Sequence, residues 1–255
     1  MDTIIAKQLI DDLRVGIAFL TRLPMPHPDG AKSPNFLRAH RIFPLVGAAI
    51  GGTIGLSYLG LLAIHIPTLG AGALALGLSA LLTGGLHEDG LADLADGFGG
   101  GRDKAAKLEI MRDSRLGTYG ALVLLVAFAA KLSALTDLPR GAVLPSLIAA
   151  YAVARAPMTF MAMMMPNART DGLSATAGRP SIATAIAAAA VALTVSIVAL
   201  PWTEALGSVL AAAGGALAVG ILAQRQISGQ TGDVLGAAEQ VGEIAVLLFL
   251  AAVHR

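Results

Sequence analysis

The residues best suited to chemistry in this 255-residue chain lie in one stretch, His87-Glu88-Asp89-Gly90-Leu91-Ala92-Asp93-Leu94-Ala95-Asp96-Gly97. On an α-helix, at about 100° per residue, Asp89, Asp93 and Asp96 fall within roughly 60° of one face. Bare carboxylates so close repel one another, and burial beside a membrane raises the cost. A divalent cation removes both penalties. Oxygen ligands without sulfur or clustered histidine favour Mg²⁺ over Zn²⁺, with Mn²⁺ as the alternative. Mg²⁺ commonly leaves coordination positions to water and substrate phosphate, so three aspartates point to a shared or two-metal site acting on a phosphate. The competing reading is a solvated charged face. The Leu and Ala residues between the acids, and the apolar stretch that the motif directly continues, argue against it. His87 and Glu88 fall elsewhere on the helical wheel, open to roles as ligand, base or supporting hydrogen-bonding group. Gly90 and Gly97 bracket the acids and permit close helix packing or a helix end.

A phosphate also calls for cations. Arg112 and Arg115 stand one helical turn apart with Asp113 between them, and an Arg fork suits phosphate oxygens. Charge retained for topology accounts fully for Lys104 and Lys107. Arg112, Asp113 and Arg115 are therefore expected at the substrate. Downstream, Thr231-Gly232-Asp233 opens an apolar stretch that carries Glu239 and Glu243. Ionisable residues inside a membrane helix are functional by default, but pairing with Arg155, the basic residue well inside another apolar stretch, explains these two equally well. Arg155, Arg169, Asp233 and Glu239 are expected to contribute to the substrate pocket, with Asp171 and Gly172 nearby. Met158, Met161 and Met163 to Met165 offer an adaptable apolar lining, although plain packing explains them too.

The elements that hold these residues must sit in lipid. Hydrophobic residues make up 55% of the chain and charged residues 14%, against about 25% charged in soluble domains. The mean hydropathy is +0.72. The 30 glycines suit close helix approach. A net charge of +1 gives no reason to expect nucleic-acid binding, and the lack of cysteine excludes disulfides, thiolate metal sites and cysteine catalysis. The stretches at roughly 44–65, 69–86, 119–136, 141–165, 182–200, 205–223 and 234–252 each approach the ~20 residues needed to cross the hydrocarbon. The expected fold is all-α: a polytopic helical membrane protein with about seven (six to eight) transmembrane helices. Residues 1–255 form a single catalytic domain. Within it, 1–43 is an N-terminal segment and 87–118 an active-site segment, both cytoplasmic.

Asp2, Asp11 and Asp12 exclude a signal peptide. Ile5, Leu9, Leu13, Ile17 and Leu20 recur at helical spacing, which predicts an amphipathic helix, lying on the membrane or packed on the other helices. Basic residues set the orientation. Lys7, Arg14, Arg22, Lys32, Arg38 and Arg41 precede the first stretch, and Arg102, Lys104, Lys107, Arg112 and Arg115 follow the second. Arg169 and Arg179 follow the fourth, and Arg225 follows the sixth. The other connections carry no basic residue but Arg140. This alternation puts the N-terminus and every polar motif in the cytoplasm and the C-terminus outside.

Five segments taken together carry a resemblance. Phe19-Leu20-Thr21-Arg22-Leu23-Pro24, Phe43-Pro44-Leu45-Val46-Gly47, Gly84-Gly85-Leu86-His87-Glu88-Asp89-Gly90-Leu91-Ala92-Asp93, Met111-Arg112-Asp113-Ser114-Arg115-Leu116-Gly117-Thr118-Tyr119-Gly120 and Thr231-Gly232-Asp233-Val234-Leu235-Gly236-Ala237 resemble, in this order, the cobalamin synthase family. Its members are also called cobalamin-5′-phosphate synthases or adenosylcobinamide-GDP ribazoletransferases. The resemblance implies an enzyme of the bacterial inner membrane. It would join adenosylcobinamide-GDP to α-ribazole, or to its 5′-phosphate, and release GMP. It further implies Mg²⁺ held by Asp89, Asp93 and Asp96, and phosphate held by Arg112 and Arg115. The partners implied are these small molecules and membrane lipids, with no nucleic acid. Self-association and contact with other cobalamin-assembly enzymes stay open. Two other readings compete. A CDP-alcohol phosphotransferase would carry an Ala-Arg pair soon after the first Asp-Gly, whereas Leu91-Ala92-Asp93 follow here. An ion-coupled secondary transporter would show paired repeats and broken helices.

Overall fold

A computed structural model describes residues 2–26, 36–172 and 177–255, with the side chains of the first segment described from Ala6 onward. Lys32 and the side chain of Ile5, both used above, lie outside the described residues. The order of elements is α1 (Asp2–Leu20), α2 (Phe36–Ala39), a 3-10 turn (His40–Ile42), α3 (Phe43–Ala63), α4 (Thr68–Thr83), α5 (Leu86–Gly100), α6 (Lys104–Ile110), α7 (Thr118–Asp137), α8 (Arg140–Val153), α9 (Arg155–Met164), α10 (Ile182–Ala199), α11 (Trp202–Ile227) and α12 (Gly232–Val253). Among the described residues the extended pairing is one isolated bridge between Asn167 and Gln230.

Six segments are long and apolar enough to cross a membrane: Phe36–Ala63, Thr118–Asp137, Arg140–Met164, Ile182–Ala199, Trp202–Ile227 and Gly232–Val253. They match six of the seven stretches read from the sequence. The remaining one, α4, does not continue into the acidic motif as expected. The chain turns by 91° between α4 and α5. Gly84 and Gly85, with φ of 70° and 67°, both adopt the left-handed conformation that makes the turn possible. The 16 residues of α4 reach about 24 Å at 1.5 Å per residue, so α4 alone falls short of the other candidate spans, and only together with the bent α5 does it have the length and apolarity of a seventh.

Helix α12 is the axis of the bundle. It packs on α5, α7, α8 and α11, and 72% of its apolar window is buried, against 28% for α7 at the periphery. Helix α1 is packed on its neighbours. Asp12 is buried and held by Arg38 at 2.9 Å and Arg41 at 2.7 Å, while Leu9, Ile10 and Leu13 stay exposed along its outer face. The connections carrying basic residues meet at one end of the bundle. There Lys107 bonds Gln226 and Arg112 pairs with Asp171, as the single-sided arrangement of polar motifs requires.

Candidate active site

The site begins at the turn. The Arg22 backbone N–H donates to the Leu82 carbonyl at 2.8 Å, and the Arg22 side chain lies against Gly84. The segment after α1 thereby braces the break that swings α5 across the first turns of α12. The two helices touch through small residues: a Cβ on Gly90 would stand 2.9 Å from the Asp233 carbonyl oxygen, and one on Gly236 3.3 Å from the His87 Cα. This close crossing brings Asp233 beside Asp89 and Asp93.

The acids do not all do the same work. Asp89 is exposed and Asp93 half-buried. Burial, together with the charges of Asp89, Asp233 and Asp96, pushes the Asp93 carboxyl up to about 7, against the pull of Arg169. Arg169 Nη2 lies 3.5 Å from Asp233 Oδ2, and its Nη1 is buried with no hydrogen-bond partner among the described residues. Asp96, on the same side of α5, is engaged by α7. Its two oxygens accept the backbone N–H groups of Gly117 at 2.7 Å and Gly120 at 2.8 Å, so it caps the first turn of α7. Among the described residues, no three His, Asp or Glu side chains are grouped closely enough to hold a metal. Of the three aspartates expected at a shared or two-metal site, Asp96 is engaged by the α7 amides. Asp89, Asp93 and Asp233 are an excess of negative charge set against Arg169. Mg²⁺ fits such a site, because it retains water and phosphate oxygens in its shell.

These groups border a cavity of ≈ 240 Å³. One wall carries Asp89, Asp233, Arg169, Asp171, Asn167 and Gln230, and another carries Phe19, Phe36, His40, Phe43 and Met158. His87 lines it too: it shares the cavity with Asp89, although the helical wheel separates them. Its Nδ1 is 3.1 Å from Glu239 Oε2, and its Nε2 is buried without a partner among the described residues.

Glu239 and Arg155, both expected at the substrate, do not line the cavity. They form a buried ion pair at 2.8 Å. Glu243 lies 3.9 Å from Arg155 and 2.7 Å from Lys131, which also donates to Gln240 at 2.7 Å. Each is engaged by an opposite charge inside the bundle and none lines the cavity, so the pairing alternative describes these residues. Glu88 is half-buried and close enough to Lys131 and Tyr151 to act on them electrostatically. Arg112, Asp113 and Arg115 also depart from expectation. Helix α6 ends at Ile110, so the two arginines lie in a turn and not on one helical face. Arg112 pairs with Asp171. Arg115, whose side chain is 86% exposed, is held by Asp113, whose carboxyl its hydrogen bonds pull below the usual range. Sequence reasoning missed His40, Asn167 and Gln230. The run from Phe43 was noticed, but nothing in the spacing of His40 connects it with α5.

The chain matches the family described as cobalamin-5-phosphate synthase over residues 12–251. An adenosylcobinamide-GDP ribazoletransferase of Bradyrhizobium diazoefficiens is 44% identical, with 96% of this chain and 95% of that protein covered. Proteins of the same description from a Sinorhizobium species and from Azorhizobium caulinodans are 42% and 41% identical, covering 94% and 95% of this chain and 96% of each relative. No solved structure matches.

Proposed function

Since the chain belongs to the cobalamin-5-phosphate synthase family, we infer that it is a membrane-bound transferase that joins adenosylcobinamide-GDP to α-ribazole or its 5′-phosphate and releases GMP. The ribazole 3′-hydroxyl oxygen attacks the phosphorus next to the cobinamide. The bond from that phosphorus to the GMP oxygen breaks, and the hydroxyl proton passes to a base. The observation that carries the site assignment is the unbalanced acidic group: Asp89 and Asp233 line the cavity with Arg169, and Asp93 is near enough to feel the charges of all three. Mg²⁺ bound there would neutralise the diphosphate and stabilise the departing GMP.

Asp89 and Asp93 on α5 and Asp233 on α12 would hold Mg²⁺ jointly with water and the substrate's phosphate oxygens, since these carboxylates are not grouped closely enough to bind it alone. Asp96 supports the site by holding α7 in place. The buried Nη1 of Arg169 is the donor best placed for a phosphate oxygen, with Arg112 as a reserve at the rim. His87 is the favoured proton acceptor: Glu239 fixes its Nδ1 and leaves Nε2 free. Asp89 is the alternative base. The gathering of Lys107, Arg112 and Arg169 at the active-site end supports a site facing the cytoplasm across the bacterial inner membrane.

The test uses membrane-inserted protein supplied with adenosylcobinamide-GDP and α-ribazole. Stoichiometric GMP release that stops on chelation and returns with Mg²⁺ is expected. Absence of GMP release with both substrates and Mg²⁺ present would sink the reading. Release that survives chelation would remove the metal from it.

A further inference from the structure

The aromatic part of the cavity lining has no role in the phosphate chemistry. Phe19, Phe36, His40 and Phe43 form one ring cluster. Phe19 lies against Phe36 at 4.8 Å and Phe43 at 5.5 Å, and His40 against Phe36 at 5.1 Å and Phe43 at 4.5 Å. Met158 and Ala162 extend the apolar surface. Within it stands one polar group without a partner. His40 is 5% exposed and lines the cavity. Its Nδ1 faces the Thr159 hydroxyl at 3.4 Å, and its Nε2 is buried with no hydrogen-bond partner among the described residues. A buried donor left unpaired is costly, so a native site that keeps one usually has a ligand or water for it.

We propose that this wall is the binding site for the aromatic base of the ribazole substrate, with His40 Nε2–H donating to the base's unsubstituted ring nitrogen and the phenylalanine cluster forming its apolar wall. The proposal rests on the transferase reading above. Two aromatic bases compete for the place. Guanine carries an amide, an exocyclic amine and a carbonyl, and would leave most of them unpaired among Phe19, Phe36, Phe43 and Met158. The base of α-ribazole is a methylated benzimidazole, which is apolar at its edge except for one nitrogen lone pair. One donor in an apolar wall matches one acceptor in an apolar base. In the tautomer that carries the ring proton on Nε2, Nδ1 accepts from the Thr159 hydroxyl and Nε2–H is the donor this contact requires. The position also suits the reaction. The wall borders the same cavity as Asp89 and Asp233, so a ribose attached to a base held there can extend its 3′-hydroxyl toward the diphosphate. Guanine is left the polar wall, where Asn167 and Gln230 lie.

The experiment compares two acceptors on the full-length, membrane-inserted protein: α-ribazole, and the riboside of the matching dimethylindole, in which a C–H replaces the free nitrogen. Adenosylcobinamide-GDP is held at saturation. The wild type is expected to prefer α-ribazole by roughly tenfold or more in kcat/KM, as expected when a buried donor loses its acceptor. His40→Phe should erase that preference by raising KM for α-ribazole, with KM for adenosylcobinamide-GDP unchanged. His40→Gln, which retains an N–H, should restore part of it. Equal use of both acceptors by the wild type overturns the proposal without any variant. So does a His40→Phe protein that keeps the preference, or one whose KM rises for adenosylcobinamide-GDP, which would put guanine at this wall. Failure of the wild type to release GMP with either acceptor would instead count against the transferase reading.

Discussion

Two groups of charged residues meet at His87 and obey opposite rules. Beneath the site, Lys131, Arg155, Glu239 and Glu243 are buried inside the bundle, two cations facing two carboxylates, and each is paired. At and beside the cavity, Asp89, Asp233 and Asp93 are set against essentially one cation, Arg169. A balanced cluster can be buried because its members supply each other's counter-charge. An unbalanced one must stay near solvent and recruit a cation. Counting charge against its partners thus separates residues that hold the helices together from residues that await a ligand, which the presence of ionisable groups in an apolar helix does not do alone.

The sharpest way to break this comparison is to unbalance the buried group. Lys131→Met leaves Glu243 in the bundle without its closest partner, which should cost about 3–5 kcal/mol and lower the unfolding temperature in detergent. Lys131→Met combined with Glu243→Gln should recover most of the loss. A single variant as stable as wild type would mean that the network is not structural. The cavity group should respond in the reverse way. Asp89→Asn and Asp93→Asn should each reduce turnover by at least about a hundredfold, while the protein inserts normally and resists heat at least as well, since repulsion is relieved. Near-normal turnover in both would return these acids to the status of a solvated face.

Smaller effects sharpen the boundary between the groups. Arg169→Lys keeps the charge and loses the planar fork, so kcat/KM for the nucleotide substrate should fall by about tenfold, the scale of one charge-assisted hydrogen bond. An unchanged value would leave Arg169 as a mere counter-ion to Asp233. Arg115→Lys should change kcat/KM by no more than about twofold, because an exposed ion pair of this kind contributes little. A tenfold loss there would show that Arg115 leaves Asp113 to reach phosphate during turnover.

The sequence by itself determined the crossing helices and the acidic element, because both are local properties. A run of about twenty apolar residues is enough to specify a crossing in lipid, and the spacing of Asp89, Asp93 and Asp96 specifies a shared helix side wherever that helix lies. The five family segments also fixed the reaction. Tertiary structure alone decided which residues share the site. The turn at Gly84 and Gly85 and the close crossing at Gly90 and Gly236 set the angle between α5 and α12. That angle delivers Asp233 to the acids and leaves Asp96 facing the amides of α7, while the bridge between Asn167 and Gln230 places Arg169 beside Asp233. The same packing draws Arg155, Glu239 and Glu243 into one another's reach and brings His40, from the turn before α3, to the lining of the same cavity. Periodicity says which residues lie on one side of a helix. It carries no information about the helix that side will meet, which depends on backbone approach and side-chain volume across the whole bundle.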